Sequence, residues 1–349
     1  MRFERRTDVP WGIVALAPSG AIAAALVLCA GLIALAGVNP LAAYAEMLNG
    51  AFGSRLAVTE TLTRAIPLIL TGLAAAVAFR ARLWNIGAEG QFYIGALFTA
   101  WAGHGAVTGL PAPVAIVVLM LCGMLAGALL LIGPVVLRLR FGVDEVVTTL
   151  LLNFIAVLFV GMMVEGPMKD PMGFGWPQSV PVAREVMLPD LVARSRLHIG
   201  LIFAILAAGV VWIIQQRTVF GAQTRAAGLN PVAAAFAGVP LSQTLILVAM
   251  LSGGLAGLAG AVEVIGVTGY VTTTMSPGYG YAGIVVAMLA ALHPAGVVAA
   301  AVFVATVFVG ADAMSRATGV PSFIADVIMS ASLLTMLTAL LFTTYRIRR

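Results

Sequence analysis

Charge is what this sequence has least of: only 9% of its 349 residues are Asp, Glu, Lys or Arg. A water-soluble domain carries about 25%, so the chain has too little polar surface to form a globule in water. Lysine is almost missing. The only one, Lys169, is followed by Asp170, which rules out the glycine-rich Lys-Ser/Thr loop of a P-loop ATPase. Cysteine is reduced to Cys29 and Cys122, each inside an apolar stretch, so neither a disulfide framework nor a zinc site on paired cysteines is available. His104, His198 and His293 lie far apart, and neither His-Glu-x-x-His nor Gly-x-Ser-x-Gly occurs, which removes the common metal and serine hydrolase signatures.

What is present is apolar. Hydrophobic residues make up 61% of the chain, with a mean hydropathy of +1.07, and runs of 18 or more recur along its length. Each such run can span a hydrocarbon core about 30 Å thick. The spacing predicts ten membrane segments, at 13–36, 60–80, 84–102, 112–137, 145–165, 198–216, 241–265, 281–292, 295–312 and 322–343. Segments 84–102 and 281–292 are short or glycine-interrupted, as in broken helices that line a cavity. Arg2, Arg5 and Arg6 ahead of an apolar run resemble a signal peptide. The run from 11 to 38 is too long for one, and it reads as a retained first span. Ala43-Tyr44-Ala45 mimics a cleavage site too far downstream.

The net charge of +5 builds no basic face, so nucleic acid is not an expected partner. With the N-terminus inside, the inner side receives Arg2, Arg5, Arg6, Arg80, Arg82, Arg138, Arg140, Arg217, Arg225, Arg346, Arg348 and Arg349. The outer side receives Arg55, Lys169, Arg184, Arg194, Arg196 and Arg316, with Arg64 inside a helix. The bias predicts both termini on the cytoplasmic side. One all-α membrane domain fills residues 1–349, with an outer loop at about 166–197 and an inner loop at about 217–240.

Several residues stand out. Ala249, Gly253, Gly257 and Ala261 form a stripe of small residues at spacing four, with Gly123 and Gly127 a shorter one. Packing within the subunit is the expectation for both. On the inner loop, Asn230 is a good N-cap, Pro231 suits the first helical turn, and Gly238 and Pro240 stop the helix. That pattern describes either a plain loop or a short docking helix. Glu89, between Asn85 and Gln91, reads as lining a solute pathway or as pairing with Arg80 or Arg82 at the inner interface. Asn153 and Glu263 could also line the passage, or bond between helices. Glu60 and Arg64 are spaced to pair at the outer interface, where Asp312 and Asp326 read as interfacial charges.

Gly228-Leu-Asn230-Pro231-Val-Ala-Ala-Ala-Phe-Ala-Gly238-Val resembles the coupling loop of permeases in binding-protein-dependent ABC importers. The branch it resembles handles simple sugars, nucleosides and branched-chain amino acids. Asn85-Ile86-Gly87-Ala88-Glu89-Gly90-Gln91 is similar to a signature of its nucleoside-type members. Further likeness lies in Asp144-Glu145-Val-Val-Thr-Thr-Leu-Leu-Leu-Asn153, in Ser252 to Gly260 and in Gly283 to Ala287. Arg82 stands where relatives usually have glycine, Asp144 where they have Asn, and Ala290-Ala291-Leu292 where they tend to carry glycine and a basic residue.

The resemblance implies a multi-pass subunit of the bacterial inner membrane. Its partners would be ATP-binding subunits, a second related permease, a periplasmic or lipoprotein solute-binding protein and membrane lipid. ATP and magnesium would sit on the partners, with no cofactor on this chain. It further implies coupling through Arg225, Gly228, Asn230, Pro231, Ala234 and Gly238, and a pathway among Asn85, Glu89, Gln91, Asn153 and Glu263. Two other classes remain. An ion-coupled carrier would use Glu89 or Glu263 as its titrating acid, and a membrane enzyme would need several catalytic groups converging on one cavity.

Overall fold

The computed structural model describes residues 2–5, 11–107 and 109–348; Arg6 and Arg349, assigned above to the inner side, lie outside them. Backbone polar groups inside a bilayer must be satisfied within their own segment, and the apolar runs accordingly form helices. In chain order these are α1 (Trp11–Leu35), α2 (Pro40–Phe52), α3 (Arg55–Arg80), α4 (Ala88–Trp101), α5 (Ala112–Phe141), α6 (Glu145–Glu165) and α7 (Gly200–Arg217). They continue with α8 (Val219–Leu229), α9 (Pro231–Phe236), α10 (Leu241–Glu263), α11 (Tyr279–Leu289), α12 (Pro294–Thr318) and α13 (Ile324–Thr344). Each of the ten expected segments falls on one helix.

Among the described residues, α3, α5, α6, α7, α10 with its π-helical extension Val264–Thr268, and α12 are long and apolar enough to span. The pair α1–α2, bent by 114°, makes at most a seventh. Helices α4 and α11 have only 14 and 11 residues, as their glycine interruptions suggested.

Helix α2 was not expected, although its start is written in the sequence. Asn39 Oδ1 accepts from Leu41 N at 3.0 Å and Pro40 occupies the first turn, an N-cap signature. Its length of 13 residues hid it from a search for spans. It packs on α12, with Gly50 against Ala313 and Gly310 against Met47.

Helix α3 is the axis of the bundle, with 89% of its apolar span buried. Helices α7, α10, α11 and α12 pack around it, while α6 is only 22% buried and the outward side of α7 leaves that helix 28% buried. The two small-residue stripes meet each other. A Cβ on Gly257 would lie 2.2 Å from Gly123 O, and one on Gly127 would lie 2.4 Å from Gly253 O, so α5 and α10 touch backbone to backbone. The strands β1 (Arg2–Arg5) and β2 (Tyr345–Arg348) pair antiparallel, Arg2 opposite Arg348, and bring the ends of the chain together.

Candidate functional site

Between α3 and α4 the chain runs unwound from Ala81 to Gly87, and its backbone groups need partners that a helix would have supplied. Neighbouring side chains provide them. Trp84 N donates to Glu145 Oε1 at 3.3 Å, Ile86 N to Thr149 Oγ1 at 3.3 Å, and Asn153 Nδ2 donates to Ile86 O at 2.8 Å. Asn153 Oδ1 accepts from Gly90 N at 2.8 Å, and Asn153 Nδ2 also reaches Tyr281 Oη at 3.2 Å. Asn85 and Gln91 exchange two amide bonds of 2.9 Å, and Asn85 Nδ2 donates to Ser252 Oγ, which in turn bonds Ala74 O. The polar residues of the 85–91 signature thus knit an unwound strand to α3, α6 and α10.

Glu89 has a different task. Helices α4 and α11 meet N-terminus to N-terminus, so closely that a Cβ on Gly280 would lie 2.2 Å from Glu89 N. The buried Glu89 carboxylate sits at that junction, and its Oε2 accepts from Gly280 N at 2.6 Å. The carboxyl therefore faces the positive ends of two helix dipoles. Glu89 pairs with neither Arg80 nor Arg82. Arg80 donates to Leu292 O at 3.3 Å and Arg138 to Arg82 O at 3.1 Å. These two carbonyls belong to turns of positive φ, Arg82 at 52°, and Ala291 and Leu292 at 48° and 60°.

A polar cavity of about 550 Å³ opens at the far end of α3. Glu60, Arg64, Arg196, Glu263, Tyr279 and Asp312 line it, with Asp326 and Phe323 toward the rim. Arg64 holds Asp312 at 2.8 Å and Glu60 at 3.3 Å, and Arg196 reaches Glu60 at 2.6 Å. Tyr279 packs between Phe92, tilted by 56° at 5.9 Å, and Phe308, edge-to-face at 6.5 Å. Of the five pathway residues expected, only Glu263 lines this cavity; Asn85, Gln91 and Asn153 bond within the unwound segment and its neighbours, and Glu89 bonds Gly280 N on α11. The cavity is assembled from residues as distant as 60, 196 and 312, so no local motif marks it. The signals available were single charges in or beside apolar helices, Arg64 and Glu263 above all. A groove of similar volume between α4, α5 and α6, lined by Phe98, Leu125 and Phe159, is apolar throughout and has no group to orient a polar solute.

At the other end of α3 lies the 217–240 loop. Asn230 Oδ1 caps α9 by accepting from Ala233 N at 3.1 Å, and Gly238 ends the turn at φ 84°. Helix α8 precedes it, unexpected but capped in the same way by Thr218. The Arg225 guanidinium bonds Gln215 O, tying α8 to α7. Gly228 abuts α3, since a Cβ there would lie 2.1 Å from Arg80 O. On α9, Ala234 is buried and faces the bundle, while Val232 and Phe236 are 79% and 97% exposed. The twenty residues from Glu60 to Arg80 rise about 30 Å, so the cavity and the 217–240 loop sit at opposite ends of one helix. Among the described residues no group of His, Cys, Asp and Glu is arranged to hold a metal ion.

A many-spanned helical bundle with a polar cavity at one end and exposed short helices at the other defines a multi-pass membrane protein built for passage. Residues 56–337 match the family described as branched-chain amino acid transport system / permease component, and the chain belongs to that family. A guanosine ABC transporter permease of Bacillus subtilis is 34% identical over 91% of this chain and 92% of its own. A nucleoside ABC transporter permease of Lactococcus lactis is 34% identical over 84% and 83%. A glucose ABC transporter permease of Haloferax volcanii is 31% identical over 99% and 93%. The resemblance drawn from the inner loop and the 85–91 signature is borne out.

Proposed function

We propose that this chain is the membrane-spanning permease subunit of an ABC importer that takes up nucleosides and performs no chemistry itself. The observation that carries the reading is the cavity at the outer end of α3, whose lining of carboxylates, guanidiniums and an aromatic wall suits a small polar solute with a flat ring. The guanosine and nucleoside permeases among its relatives support the same solute class.

In this reading both termini and residues 217–240 face the cytoplasm, and the cavity and residues 166–197 face outward. ATP-binding subunits receive the exposed Val232 and Phe236, and ATP and magnesium stay on those subunits. A solute-binding protein docks over the cavity, and a second permease completes the complex. Arg225, Gly228, Asn230, Pro231 and Gly238 shape the inner helices, and Ala234 seats α9 on the bundle.

Reconstituting the complex in proteoliposomes and following labelled guanosine tests the proposal. ATP-dependent accumulation is expected, and its absence with every nucleoside offered would overturn it. The Haloferax relative favours a second reading, glucose, under which glucose accumulates and guanosine does not compete.

A further inference from the structure

Every acid around the outer cavity is accounted for except one. Glu60 is held by Arg64 and Arg196, Asp312 by Arg64, and Asp326 is exposed. Glu263 is only 6% exposed, lines the cavity, and its carboxyl makes no hydrogen bond or ion pair among the described residues. It sits at the last position of α10, where the helix loosens into the π-helical turn. The residue is buried but its carboxyl oxygens are presented to the cavity without a protein partner, so they are free to receive donors from whatever enters. Arg64 and Arg196 stand within electrostatic reach of it, but each is committed to Glu60 or Asp312.

We propose that Glu263 reads the solute, its two oxygens receiving two adjacent hydrogen-bond donors while Tyr279, with Phe308 edge-on to it, forms the aromatic wall beside them. The inference rests on the nucleoside reading above. An ionised carboxyl is acceptor-only and takes paired donors side by side. A nucleoside presents such a pair in two places, the neighbouring hydroxyls of its ribose and the adjacent N–H groups on the edge of a guanine base. A glutamine at 263 keeps the size but offers one acceptor and one donor, and so mismatches either pair.

The experiment compares the assembled wild-type complex with Glu263→Gln in proteoliposomes, using guanosine, inosine (no amino group on the base edge) and 2′-deoxyguanosine (one hydroxyl of the pair missing). The variant-to-wild-type ratio for each solute cancels whatever preference the binding protein adds. Hydrogen bonds to a charged group predict that E263Q lowers guanosine uptake by about 10-fold or more. The loss shrinks to less than about 3-fold for the solute that already lacks the donor pair, inosine if the base edge is read and 2′-deoxyguanosine if the ribose is.

An equal loss on all three solutes would make Glu263 structural and overturn the proposal, as would no loss on any. Should E263Q fail to accumulate in the membrane, Glu263→Asp, which keeps the charge but withdraws it by one methylene, is read in the same way. Wild-type complex that takes up no nucleoside overturns both this inference and the reading beneath it. Uptake with an unaltered E263Q profile overturns this inference alone.

Discussion

Asn153 gives the sharpest test of how the unwound segment is held. Its side chain makes three bonds, to Gly90 N and Ile86 O at 2.8 Å and to Tyr281 Oη at 3.2 Å. In Asn153→Ala two of the groups left behind are backbone, buried at membrane depth, with no helix to take them up. Interhelical hydrogen bonds in a bilayer contribute about 0.6–1.7 kcal/mol each, so three sum to about 2–5 kcal/mol, and orphaned backbone groups push the result toward the upper end. Thr149→Ala removes the 3.3 Å bond to Ile86 N and the hydroxyl's own bonds back to Glu145 O and Val146 O within α6; it orphans a single backbone group of the unwound segment and should cost less. The assay is thermal unfolding of detergent-purified protein, followed by loss of monodisperse material, with uptake measured in parallel. Asn153→Ala should be destabilised well beyond Thr149→Ala, and solute preference should stay unchanged in whatever folded protein remains. Wild-type stability with altered solute preference would refute the reasoning and make Asn153 a lining residue.

Gly257→Val places a Cβ 2.2 Å from Gly123 O with backbone on both sides; α5 and α10 must part by more than an ångström, at a cost of about 1–3 kcal/mol or more, and a lowered unfolding midpoint is the expected readout. Phe236→Arg, at the most exposed apolar position of α9, should leave membrane abundance intact and lower uptake and solute-stimulated ATP turnover together; normal uptake at normal abundance would remove α9 from coupling. His198 lies outside the spanning segments, where burial pushes its pKa from 6.5 down to about 4 while Nδ1 accepts from Gly200 N. The unfolded chain therefore binds the proton first, and the stabilisation present above pH 6.5 is lost as pH falls toward 4, by up to about 1.4 kcal/mol per unit. His198→Gln should flatten that acid slope in an unfolding titration, and an unchanged slope would assign it to another group.

Hydropathy made the long helices legible because each one satisfies its own backbone and needs only an apolar exterior. The inner-loop helix α9 was legible for a different reason, since capping is chemistry between neighbours in sequence. What stayed hidden depends on contacts across the chain. The polar residues at 85–91 looked like a pathway, yet Asn85 and Gln91 turn toward each other and Asn153 bonds backbone. Nothing local distinguishes an amide facing solute from one replacing a helix hydrogen bond. Ala234 was expected to face a partner; on a six-residue helix without charge, the inward side cannot be read from pattern. Arg82, Ala291 and Leu292 gave no sign of their positive φ, because the arginines that hold those turns come from residues 138 and 80. Glu263 could be noticed as an acid in an apolar run, but its lack of a partner appears only in three dimensions.

The contact between Gly228 and the Arg80 carbonyl has a mechanical consequence. Most helix contacts are cushioned by side chains that change rotamer under load, so that the first fraction of an ångström of displacement is absorbed locally. Here no side chain intervenes, and Arg225 fastens the same helix to α7 through a backbone carbonyl. A displacement of α8 therefore enters the central helix without backlash, and the same continuous helix carries Glu60 and Arg64 at its other end. Any substituent at residue 228 would act as a shim, presetting the position of α3 before nucleotide is bound.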